Sequence, residues 1–112
     1  MTALLARGGL GMATVNLAET VDVLSRRVGH ERANDALAPL VDGPIAHLIA
    51  LDAARAWKVG DLRARHYHRT RRPVSLADCS LIACAGSGDR IATFDSMLVE
   101  MARDEEVAVV DL

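Results

Sequence analysis

Glu19, Asp78 and Asp95 are the residues of this chain whose type and spacing point to chemistry. Each falls where an apolar run gives way to helical periodicity: Glu19 three residues after Asn16, Asp78 three after Ser75, and Asp95 directly after Ile91-Ala92-Thr93-Phe94. In an open parallel sheet such junctions lie at the carboxyl ends of the strands, the edge where α/β folds place their sites. Three carboxylates converging there repel one another unless a cation neutralises them, and helix N-termini help to keep them ionised. Hard oxygen donors without Cys or a committed His select Mg2+ or Mn2+, which keep waters and activate one of them against a phosphodiester. The chemistry implied is metal-assisted hydrolysis of nucleic acid. The same residues also read as plain helix starts. Asn16 with Glu19 and Ser75 with Asp78 have capping-box spacing, and Asp95 is placed as an N-cap.

The elements that must position these residues follow from periodicity. Residues 3–7 read as the tail of a helix closed by Gly8, Gly9 and Gly11. A strand is expected over 12–17, then helices over 19–28, with Val21, Leu24 and Val28 on one face, and over 31–40. Asp42-Gly43-Pro44 predicts a turn, 45–51 a short strand, and Asp52 the N-cap of an Ala-rich helix reaching about residue 68. After Pro73, Ser75 opens a helix to about residue 85, ended by Gly86-Ser87-Gly88-Asp89. A strand over 91–94, a helix from 95 to about 103 and a strand over 107–110 complete the order β-α-α-β-α-α-β-α-β. Strands alternating with helices predict a three-layer α/β/α fold with a short, mostly parallel sheet, here as one domain over 1–112.

Composition agrees with a globular domain: 51% of the 112 residues are hydrophobic and 25% charged. No run of apolar residues approaches the length of a membrane-spanning helix, and 1–7 has no basic region ahead of a long apolar segment, so the chain reads as cytoplasmic. Cys79 and Cys84 lack metal-ligand spacing and read as free buried thiols. The net charge of −2 is unevenly spread. Residues 63–72 hold five arginines and no acid, so that stretch is +5 and the remainder −7.

Three segments together resemble a known family. Thr14-Val15-Asn16-Leu17-Ala18-Glu19, Ser75-Leu76-Ala77-Asp78-Cys79-Ser80-Leu81-Ile82-Ala83 and Ile91-Ala92-Thr93-Phe94-Asp95 look like successive blocks of the PIN domain, the fold of VapC-type toxin ribonucleases. The resemblance covers nearly the whole chain. It implies that Glu19, Asp78 and Asp95 bind Mg2+ or Mn2+ and cut RNA, with Thr93 supporting them. It also implies a cognate antitoxin protein that blocks the site, and a homodimer formed through helical surfaces. One departure stands out: PIN domains open with a central strand ending in aspartate, and no such block is present. On that reading the fold is N-terminally incomplete, lacking a strand and a helix of roughly 20 residues at usual element lengths, unless another element fills the centre of the sheet. A catalytically inactive module that binds RNA or an antitoxin is the second reading.

The basic segment has its own reading. Arg63, Arg65, Arg69, Arg71 and Arg72 surround Tyr67, a composition suited to RNA phosphates and base stacking, to an acidic partner segment, or to a solvated helix end. His66 and His68 are two apart, a poor metal pair on a helix, and are expected at the surface with His30. His47 is expected as a hydrogen-bonded core residue. Trp57 is read as packing or part of a dimer surface.

Overall fold

The computed structural model describes residues 3–6, 9–42, 46–86 and 88–110. Gly8, Gly43, Pro44, Ile45 and Ser87, which the expected turns and the second strand invoked, lie outside them.

The chain starts with a pair of strands rather than the end of a helix. β1, Ala3–Ala6, pairs antiparallel with β2, Gly9–Ala13, in the register Leu4 to Gly11 and Leu5 to Leu10. As a strand, the same residues gain a ladder on both sides, because β1 also pairs antiparallel with β4, Arg90–Ala92. β3, Ala46–Ile49, lies parallel beside β2, and β5, Ala108–Val109, lies parallel beside β4. The sheet order is therefore β3-β2-β1-β4-β5. Since β2 and β4 both oppose β1, four strands run one way and the central one runs against them. The centre of the sheet, expected to lack its strand, is held by Ala3–Ala6.

β2 also ends earlier than the 12–17 strand that its Thr and Val suggested. α1, Thr14–Val28, begins directly at Thr14, because Met12 and Ala13 complete the pairing with Leu48 and Ile49 and are buried there. The helix stops at Gly29, whose φ of +92° lies in the region open to glycine. α2, His30–Asp42, follows at once. α3, Ala53–His66, is capped as expected: the Asp52 carboxylate accepts from the Arg55 N–H at 2.8 Å.

α4, Leu76–Cys84, is the centre of the molecule. Ala77 and every residue from Cys79 to Cys84 are buried, so the helix is enclosed on nearly all sides rather than amphipathic. Leu81 and Ile82 pack with Val59 and Leu62 of α3, Ile91 of β4, and Leu98 and Met101 of α5, Ser96–Asp104. The result is a mostly helical α/β fold with short parallel strands. Cys79 and Cys84 are free, buried thiols, as expected.

Candidate functional site

The carboxyl ends of β2, β3 and β4 share one edge of the sheet, and contacts between elements show what stands along it. The Leu51 N–H, just after β3, donates to Thr14 Oγ1 at the start of α1 at 3.3 Å. Two residues into the same helix, Asn16 is only 7% exposed and donates from Nδ2 to the Ala77 carbonyl at 3.1 Å. That bond brings the first turn of α4, and with it Asp78, to the edge. Asp95 reaches it from β4. Because β1 is reversed, its register sets Ala3 opposite Ala92, so the central strand begins at this edge rather than ending there.

Each of the predicted carboxylates has a definite local state. Asp78 is half-buried in a complete capping box: its Oδ2 accepts from the Ser75 N–H, and Ser75 Oγ accepts from the Asp78 N–H, both at 3.0 Å. Asp95 is the N-cap of α5, its Oδ1 accepting from the N–H groups of Met97 at 2.9 Å and Leu98 at 3.4 Å. Thr93 is buried beside it, and its Oγ1 accepts from the Asp95 N–H at 3.1 Å. Glu19 departs from expectation. With α1 starting at Thr14, the N-cap is Ala13, which offers no side-chain bond, and Glu19 falls in the second turn, exposed. The Asn16 and Glu19 capping box therefore does not form; Asn16 instead bridges α1 to α4. Its polar side chain in an apolar stretch was the signal for that role, but the partner lies 61 residues away. Among the described residues, no three His, Cys, Asp or Glu side chains gather closely enough to hold a metal ion.

Burial pushes the Cys79 thiol up to about 11, with the Asp78 carboxylate adding to the effect, and burial raises Cys84 as well. At both positions burial disfavours the thiolate, the form that acts as nucleophile.

The basic segment is largely spent within the fold. Arg65 pairs with Asp61 at 3.0 Å and, through both terminal nitrogens, with the Glu105 carboxylate at 3.0 and 3.1 Å. Arg72 Nη2 meets Glu100 and Asp104 at 3.0 Å each. Between them stands His66, whose Nδ1 accepts from Arg72 Nη1 at 2.6 Å while Nε2 faces Glu105 at 2.9 Å. Arg72 occupies the Nδ1 lone pair, so the ring proton sits on Nε2 and is donated to Glu105. Its side chain is 9% exposed, against the surface position expected. The bonds from Arg65 and His66 hold the Glu105 carboxyl well below its ordinary value, at about 2. Arg63 lies 4.4 Å from the Tyr67 ring centroid and donates to the Val74 carbonyl. Arg71 leans on His68, whose Nδ1 accepts from the Thr70 and Arg71 N–H groups in a tight turn. Arg69 and Arg71 are the exposed arginines of the segment that make no ion pair with the described residues. His47 is exposed on the edge strand β3 rather than buried, and Trp57 is 83% exposed on α3 rather than packed. His30 and His68 are exposed, as expected.

Comparison with known families places this arrangement. The PIN domain model matches residues 1–104. The chain belongs to the PIN domain family. A PIN domain is generally a nuclease fold, and a nucleic acid is the substrate class that goes with it. Neither the curated proteins nor the solved structures return a significant match to this PIN domain. No described helix of this PIN domain is long and apolar enough to cross a membrane.

Proposed function

We propose that the chain is a divalent-metal-dependent endoribonuclease of the VapC toxin type, cutting RNA at the edge where Asp78 and Asp95 stand. The observation that carries this reading is the state of those two carboxylates. Each caps its helix through a single oxygen, Oδ2 of Asp78 and Oδ1 of Asp95, on one edge of a PIN fold. Glu19 and Thr93 complete the proposed site. The donor chemistry, hard carboxylate oxygens, suits Mg2+ or Mn2+. The geometry does not fit an ion: the described carboxylates form no three-ligand group.

The same misfit favours the second reading, an inactive PIN module that binds RNA or a cognate antitoxin. Single-stranded RNA incubated with Mg2+ or Mn2+, with and without chelator, decides between them. Cleavage abolished by chelation and by Asp78→Asn supports the nuclease. RNA or antitoxin binding with no cleavage under any metal supports the module. A cytoplasmic setting and a homodimer belong to either reading. For the dimer, the support is the exposed Trp57 beside an open cleft of about 380 Å³ along Gly60 and Ala64 of α3.

A further inference from the structure

Phe94 is the chain's single phenylalanine, and it is 81% exposed. An aromatic ring left in water two residues past β4 forgoes the stabilisation that burial would contribute. Its backbone neighbours are both committed: Thr93 is buried beneath it, and Asp95 caps α5. The ring stands at the mouth of a cleft of about 690 Å³ between α5 and the edge strand β5, within the ~300–1,000 Å³ range of small-ligand sites.

One wall of the cleft is a face of α5. Ser96, Val99, Glu100 and Arg103 recur at helical spacing and line it, while Leu98, Met101 and Ala102 point into the core. The far wall is apolar, from Val109 and Val110. The two charges on the helical wall are not equivalent. Glu100 is paired with Arg72 at 3.0 Å, whereas Arg103 has no carboxylate within ion-pair distance among the described residues. The cleft thus combines an exposed aromatic face, an apolar wall, one carboxylate already paired with Arg72 and one cation left unpaired among the described residues, beginning one residue from Asp95. A single-stranded nucleic acid presents the matching groups: an unstacked base with two π faces and a phosphate a few ångströms along the backbone.

We propose that Phe94 is a positioning residue on which one base of a single-stranded RNA stacks, with Arg103 taking the adjoining phosphate, so that the backbone is led past Asp95. This rests on the nuclease reading for its purpose, but its test does not depend on cleavage. Binding of a fluorescein-labelled single-stranded oligoribonucleotide is followed by anisotropy in the presence of chelator. The full chain is compared with Phe94→Ala, Phe94→Trp and Arg103→Ala. An abasic oligomer with the same ribose-phosphate backbone serves as a second probe.

Stacking is worth about 1–3 kcal/mol per base, so Phe94→Ala is expected to weaken binding of the natural oligomer by about 5- to 150-fold. Phe94→Trp keeps the affinity, the abasic oligomer binds the chain and Phe94→Ala alike, and Arg103→Ala weakens both probes. The proposal is overturned if Phe94→Ala binds the natural oligomer as tightly as the parent chain does. It is equally overturned if the loss is the same on both probes, or if the parent chain binds neither probe, as when the cleft serves a polypeptide. If binding depends on Phe94 while Mg2+ and Mn2+ elicit no cleavage, the nuclease reading falls and the stacking site stands. Because the Phe94 ring is outside the core, its truncation is expected to leave the thermal midpoint in place.

Discussion

Asn16 of α1 donates to the carbonyl of Ala77 of α4 at 3.1 Å, a buried bond that spans 61 residues of sequence. It joins the two helix starts that stand beside Asp78, and its Oδ1 is buried without a partner among the described residues. Removing the side chain deletes one satisfied donor and one unsatisfied acceptor together. Asn16→Ala is therefore expected to cost about 1–2 kcal/mol. Asn16→Asp sets a carboxylate oxygen against the Ala77 carbonyl and is expected to cost more. Urea denaturation with an unchanged slope measures both; midpoints equal to the parent's would mean that the bond contributes nothing.

Asp95 offers a way to separate capping from chemistry. Asparagine caps helices about as well as aspartate, whereas alanine costs about 1 kcal/mol. Asp95→Asn should hold the thermal midpoint of the parent, and Asp95→Ala should lower it. If Asp95 also serves cleavage, both variants lose RNA cleavage by orders of magnitude. Cleavage that survives in Asp95→Asn would reduce the residue to a cap. The same pair of substitutions at Asp78 tests the capping box with Ser75.

The helix starts were legible because their chemistry is local. Asp52, Ser75 and Asp95 accept from N–H groups two or three residues ahead and Asp78 from one three residues behind, and spacing alone predicts such bonds. The start of α1 was not, because Thr14 and Val15 have strand propensity and only the pairing of Met12 and Ala13 with β3 decides where the strand ends. β1 is hidden for the same reason: its ladder partners in β4 lie more than 80 residues away. The arginine-rich segment showed its charge plainly but not its partners. Glu100, Asp104 and Glu105 meet it only because α5 folds back against the end of α3.

The end of α5 contains a backbone strain that a single substitution relieves. Glu106 has φ of +59°, the one described residue other than glycine with positive φ. It occupies the turn position of a Schellman motif, in which Val107 N–H donates to the Ala102 carbonyl at 2.8 Å and Glu106 N–H to Arg103 at 3.0 Å. Glycine adopts that conformation without the Cβ penalty, so Glu106→Gly should stabilise by about 0.5–1 kcal/mol, and Glu106→Ala should not. A rise of a few degrees in the thermal midpoint for glycine alone is the expected result, about 4–8 °C per kcal/mol at this size. No difference between the two variants would remove the strain argument.

Glu105 makes the stability of the fold depend on acid. Its side chain is 20% exposed and accepts from Arg65 and His66, which lower its carboxyl from the ordinary 4.5 to about 2. A depressed carboxyl contributes stability that is fully present above the unfolded value and is lost as the pH falls toward the folded one. The window is therefore from about 4.5 down to about 2. Glu105→Gln keeps the shape but removes the charge, and is expected to cost about 1.5–3 kcal/mol at pH 7, the range for hydrogen bonds to charged groups. Below pH 4.5 the gap between the two proteins should narrow as the parent's carboxylate takes up its proton. Urea midpoints of both proteins across pH 2 to 7 measure that convergence. A gap that stays constant over the whole range would show that the Arg65, His66 and Glu105 network contributes through packing rather than through charge.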